Sequence, residues 1–193
     1  MLRHIYNWTL NLAAHKNALL LLAVVSFFES SIFPIPPDIL LIPMILAVRE
    51  RAWVIAGVCT IASVLGGIAG YGIGALLFEQ VGTPILNFYQ YGAKFEEFQI
   101  VYTDWGAWAV FFAGVTPFPY KVITILSGAT NLDFTVFCVS SFLARGLRFF
   151  VIALLLWYFG ESVRYFIERR LGLVFCLFVF LLLGGFLAIK YVL

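Results

Sequence analysis

Apolar residues run in long blocks, and short polar stretches separate them. The first block covers residues 18–48, the second 53–78 and the third 105–130; a fourth covers 133–159 and a last one 171–193. A spanning helix needs about 20 consecutive apolar residues. The second, fourth and fifth blocks therefore read as transmembrane helices. The first and third are interrupted: Pro34, Pro36, Pro37 and Pro43 interrupt the first, and Pro117 and Pro119 break the third. Proline removes a backbone donor and clashes with the preceding turn, so each of these blocks predicts helix, break, helix. Irregular backbone at membrane depth is tolerated only where protein or water surrounds it. Both blocks thus read as re-entrant hairpins that enter and return on one side. Residues 1–17, with Tyr6 and Trp8, predict an amphipathic segment at the membrane surface. The more polar residues 79–104 predict an interfacial loop, and Asp133 is placed to cap the helix that follows it.

Composition sharpens this reading. The chain has 193 residues, 63% of them hydrophobic and 11% charged, against roughly 25% charged in soluble domains. Mean hydropathy is +1.03. So few charges do not cover a soluble surface of this size, and the chain is expected to be one membrane domain. A formal charge of +2 is too small and dispersed for nucleic-acid binding. Cys59, Cys138 and Cys176 each sit in an apolar run without CxxC spacing, so no metal and no disulfide are expected. The N-terminal stretch has no A-x-A-like cleavage site.

Basic residues belong on the cytoplasmic side. With two hairpins, Arg3, Lys16, Arg49 and Arg51 share one face with Arg164, Arg169 and Arg170, while the acidic stretch 79–104 faces outward. This topology puts the C-terminus outside. The two broken segments then enter from opposite faces. A shift of 83 positions overlays Pro34 on Pro117, Pro36 on Pro119 and Asp38 on Lys121. An inverted repeat of this kind places a binding site near the bilayer midplane, where the helices are discontinuous. Gly66, Gly70 and Gly74 follow at four-residue steps, a spacing that lets another helix approach closely.

Glu29, Asp38, Lys121, Arg145 and Arg148 all lie inside apolar blocks. A charge at the centre of a spanning helix costs about 2.5–3.5 kcal/mol on insertion scales. Five of them predict a polar interior in which Lys121, Arg145 and Arg148 attract an anion and Glu29 and Asp38 balance them or carry a proton. The alternative is a set of ion pairs that pins the hairpins together. Arg145 and Arg148, three apart, share a helical face, and the arginine fork suits phosphate. An unpaired carboxyl in a low-dielectric site favours its protonated form, and one beside arginine its ionised form; both remain open for Glu29. His4 and His15 are expected at the interface or in solvent. No Gly-rich phosphate loop, HExxH or GxSxG occurs, so an enzyme is not expected and no cofactor is implied.

Glu29 in Phe-Phe-Glu-Ser-Ser, then Phe-Pro-Ile-Pro-Pro-Asp, then Gly70-Tyr71-Gly72-Ile73-Gly74 resembles the DedA family, whose eukaryotic relatives are VTT-domain lipid scramblases. Thr116 to Val122 with Ala144-Arg145-Gly146 is most similar to its small YqaA-like branch. The likeness covers about residues 18–160. It implies two facing re-entrant hairpins, an acidic pair at Glu29 and Asp38, and movement of lipids or of a polyprenyl-phosphate carrier between leaflets with proton dependence. Typical members carry two arginines around the second hairpin's proline, where this chain has Val115 or Thr116 and then Lys121. The expectation is therefore a multi-pass protein of the bacterial inner (plasma) membrane that handles membrane lipids, with protons and a second copy of the chain as candidate partners. A proton-coupled transporter of small ions and a non-transporting scaffold are the alternatives.

Overall fold

Two apolar helices set the frame. A computed structural model describes residues 17–32, 36–88, 92–116 and 118–160. Pro34, Pro117, most of the N-terminal segment and the expected last span, 171–193, lie outside the described residues. In chain order the helices are α1 (Ala18–Ser31), α2 (Asp38–Ala47), α3 (Ala52–Leu77), the short α4 (Thr83–Phe88), α5 (Gly92–Val115), α6 (Tyr120–Ala129) and α7 (Phe134–Gly160). A 3-10 turn, Arg49–Arg51, precedes α3 and a π turn, Phe78–Gly82, follows it. There is no strand among the described residues. At about 1.5 Å per residue, α3 and α7 are each ~40 Å long, enough to cross a hydrocarbon core of about 30 Å. α1, α2 and α6 are ~15–21 Å long by the same rise, about half of what a crossing needs.

Side-chain contacts give the directions. Ser26 donates to the Cys59 carbonyl (2.9 Å) and Ser30 bonds Ser63 (2.7 Å), so α1 runs parallel to α3. Asp38 lies against Arg148, and Arg49 just beyond α2 donates to the carbonyls of Trp157 and Tyr158. α2 therefore runs back toward the N-terminal end of α3, alongside the C-terminal half of α7. A second group of helices, α5 to α7, follows. Tyr102 bonds Ser127 (2.9 Å) and Gln99 donates to the Thr130 carbonyl (2.9 Å), so α5 and α6 are antiparallel. Tyr71 meets Phe134 edge-on and Phe137 at a tilt, while Trp53 stacks on Phe150 and meets Trp157 at a tilt, so α7 runs antiparallel to α3.

Each proline break has a local cause. Pro37 is the residue before α2, and its carbonyl accepts from Leu40 and Leu41. Pro119 holds the same place before α6, extended at ψ 94°, and its carbonyl accepts from Val122. Proline is tolerated at a helix start because its missing donor would be unpaired there anyway. Pro36 precedes Pro37, and its carbonyl accepts from Ile39 (3.3 Å). Pro43 does not end α2 but lies buried within it. Asp133 caps α7 through its Oδ1 and the Val136 amide (2.8 Å), after a turn with Asn131 at φ 55°.

One boundary differs from the sequence reading. The described residues of 79–104 are helical: they hold most of the π turn, α4 and the first half of α5, which continues unbroken to Val115. No proline lies between Gly92 and Thr116. Rings of Phe78, Phe95, Phe98 and Tyr102 stack in sequence and join this half of α5 to the end of α3.

Two apolar cores result, each drawing on both long helices. Leu22, Leu41, Ile45, Ile55, Phe149 and Leu156 belong to the first; Tyr102, Val110, Tyr120, Leu132 and Phe137 form the second. Outside both cores, Leu20, Leu65, Leu76, Phe112, Phe142 and Leu143 are more than half exposed, as suits side chains that meet lipid rather than water. Close backbone approach joins the cores. A Cβ on Gly66 would collide with the Phe27 carbonyl, and one on Gly70 with the Thr124 hydroxyl. A Cβ on Gly74 would meet the Ile125 carbonyl, and one on Gly128 would strike the Tyr71 carbonyl and stand 2.8 Å from the Ala75 amide nitrogen.

Gly128→Val should accordingly lower the thermal stability of the detergent-solubilised protein by about 1–3 kcal/mol or more. Gly72→Ala, whose Cβ meets nothing within 4 Å, should leave it unchanged or slightly raised; thermal unfolding of the two variants side by side checks this.

Candidate functional site

The seam between the two cores holds the charges. On α3 the first core ends at Cys59 and the second begins at Ile68; on α7 the second core includes Phe137 and Cys138 and the first begins at Phe149. Ser63 and Arg145 fall in the gaps. The shift of 82 that overlays Ala52 on Phe134, the starts of the two long helices, also overlays Ser63 on Arg145. They bond each other, Arg145 Nε to Ser63 Oγ at 2.6 Å, so α3 and α7 meet at this point.

Arg145 is 2% exposed. Its guanidinium carbon lies 4.8 Å from the centre of the Tyr120 ring and 4.7 Å from that of Phe149, a cation–π contact with each. Its Nη2 donates to Glu29 Oε2 at 2.9 Å. The same oxygen accepts from Ser30 Oγ (3.1 Å), and Ser30 bonds Ser63 (2.7 Å). Arginine only donates and a carboxylate only accepts, which fixes every proton in this closed ring: Arg145 to Ser63, Ser63 to Ser30, Ser30 to Glu29, and Arg145 directly to Glu29. A buried charge is stable only when paired and hydrogen-bonded, and this ring meets both conditions.

Arg148, one helical turn further along α7, reaches the breaks themselves. Its Nη2 donates to Asp38 Oδ2 at 2.6 Å and its Nη1 to the Thr116 carbonyl at 2.7 Å. One side chain thus joins the start of α2 to the end of α5. Asp38 is the first residue of α2, where the helix dipole favours an anion. Lys121 Nζ donates to the Ile32 carbonyl (3.4 Å) and Thr124 to the Ser30 carbonyl (3.1 Å), so the start of α6 meets the end of α1. The ammonium and the guanidinium each sit at a helix C-terminus, the negative end of its dipole.

The five charges named from sequence therefore come together around the two breaks. Glu29 is paired with Arg145 and Asp38 with Arg148; among the described residues Lys121 alone of the five has no carboxylate within 4 Å. Pro36, Pro37 and Pro119 flank this cluster. Gly66 and Gly70 pass beside α1 and α6 at its edge, and Gly74 lies further along α3 against α6. Sequence reasoning missed Ser30, Ser63 and Tyr120, which hold Arg145, and the Thr116 carbonyl. Ser30 next to Glu29 was the one available signal. The others depend on how α3 crosses α7.

Residues 35–158 match the VTT domain. The chain belongs to the VTT-domain, or DedA, family. The matched residues run from Ile35, inside the first break, to within two residues of the end of α7, so the match includes Pro36, Pro37, the second break and all the paired charges except Glu29. A protein of Haemophilus influenzae, named only as uncharacterized, is 38% identical over 157 residues, 81% of each chain. One of Histophilus somni, named as an uncharacterized HI0703 homolog, is 32% identical over 158 residues, 82% of each. No solved structure matches. Family and model agree on a membrane-associated protein with two membrane-capable helices.

Removing one partner of a buried pair strands the other. Arg145→Leu should destabilise the protein by about 3–5 kcal/mol, and adding Glu29→Leu should recover part of that loss. Chemical denaturation of the two singles and the double gives the coupling; strictly additive losses would contradict the pairing.

Proposed function

We propose that this protein is a translocase or scramblase of the bacterial inner membrane that passes an anionic lipid, or a polyprenyl-phosphate carrier, between leaflets. In this reading α1–α2 and α5–α6 are re-entrant hairpins, entering from opposite faces and meeting near the bilayer midplane. The observation that carries the reading is the uncompensated charge at the meeting point. Two carboxylates are neutralised by two arginines, and Lys121 is left over beside the broken helix ends. An unmatched cation at membrane depth is costly, and an anionic head group lowers that cost. Family membership supports a role in membrane transport in general terms. Protons are a candidate coupling ion, carried by either carboxyl.

A non-transporting scaffold is the reading favoured by the complete pairing of Glu29 and Asp38. It differs in what Lys121 is for. Purified full-length protein in liposomes should speed the exchange of labelled phosphatidylglycerol between leaflets. Lys121→Gln should cut that rate about tenfold or more, since a charge-assisted hydrogen bond contributes roughly 1.5–3 kcal/mol, with smaller effect on phosphatidylcholine. Exchange no faster than in empty liposomes removes the translocase reading.

A further inference from the structure

The two ion pairs are built differently. Glu29 and Arg145 are locked in a ring whose hydrogen-bond polarity is fixed throughout, with the cation held between two aromatic faces. Both serine protons are committed within that ring. Asp38 and Arg148 are looser. The difference lies in the cations: the Arg148 side chain is 18% exposed against 2% for Arg145, while the carboxylates of Asp38 (14%) and Glu29 (15%) are alike. Only Oδ2 of Asp38 is engaged; Oδ1 is buried and has no hydrogen-bond partner among the described residues. Arg148 spends its second donor on a neutral backbone carbonyl, that of Thr116. The fork of an arginine is matched by two oxygens of one acceptor group, and here a single carboxylate oxygen and a carbonyl stand in for that group.

We propose that Asp38 is a place-holder anion. Its carboxylate occupies Arg148 until the phosphate of a singly charged phosphodiester head group displaces it, so that this pair is the clasp of the site and Arg145–Glu29 its fixed support. The inference rests on the anionic-lipid reading above and names the substrate class. Charge decides the class: Arg148 and Lys121 bring two positive charges and Asp38 one negative, so one monoanion completes neutrality and a dianionic monoester exceeds it. Two non-bridging phosphate oxygens fill the fork that Asp38 fills by half. The displaced carboxylate is not stranded, because it remains at the start of α2, where the helix dipole favours it, with Lys121 across the breaks as the remaining cation. Thr116 and Ile32, whose carbonyls Arg148 and Lys121 now hold, lie at the ends of α5 and α1. Exchange at the clasp therefore frees contacts of both hairpins at once.

A site whose competent state is only partly populated binds with an affinity reduced by that fraction. Asp38→Asn keeps the size and removes the competing charge. It should tighten binding of short-chain phosphatidylglycerol to the detergent-solubilised full chain roughly three- to tenfold, while leaflet exchange in liposomes slows because the clasp no longer closes. Arg148→Gln should weaken the same binding. In the wild-type protein, phosphatidylglycerol should raise carbodiimide labelling of Asp38, read by mass spectrometry; this measurement needs no variant to fold. Weaker or unchanged binding by Asp38→Asn, or labelling that stays level or falls, overturns the place-holder role while leaving the anionic-lipid reading in place. Wild-type protein with no preference for phosphatidylglycerol over phosphatidylcholine overturns that reading, and the place-holder with it.

Discussion

The fold depends on one guanidinium. Arg145 sits where the two long helices cross, with an apolar core on either side and no solvent to screen it. A cation there is stable only if everything around it is in place. Ser63 comes from α3, Glu29 and Ser30 from α1, and the rings of Tyr120 and Phe149 from α6 and α7. Four helices must therefore reach their final positions together. The glycines of α3 make this possible, because α1 and α6 approach it backbone to backbone at Gly66 and Gly74.

Much of this architecture was legible in the chain. The two long spans follow from uninterrupted apolar runs, the breaks from proline, and the start of α7 from Asp133. These are local effects, and local sequence contains them. The start of α5 was misread because charge was taken as the end of a helix. Glu96 and Glu97 are compatible with a helix whose first turns extend past the apolar zone, and the aromatic stack from Phe78 to Tyr102 supports it.

The charges were visible as a set, but their partners were not. Which arginine meets which carboxylate depends on the angle and register of α3 against α7, a relation between residues some 80 positions apart. Three residues along α7 separate a sealed cation from one that is 18% exposed, and helical periodicity places both on one face. What distinguishes them is tertiary: Arg145 points into the crossing, Arg148 at the broken ends beside it. The hydroxyls of Ser30 and Ser63 were likewise unremarkable as letters, and acquire a role only because the crossing brings them together.

The overlay of Ser63 on Arg145 has a consequence of its own. A repeat that is inverted and chemically identical in its two halves has conformations of equal energy related by a two-fold axis in the membrane plane, and shows no preference between the two sides of a bilayer. Here one half supplies a hydroxyl and the other a full charge at the shared position, and likewise Asp38 stands opposite Lys121. The two halves therefore present different electrostatic surfaces at the crossing, a hydroxyl from α3 and a guanidinium from α7.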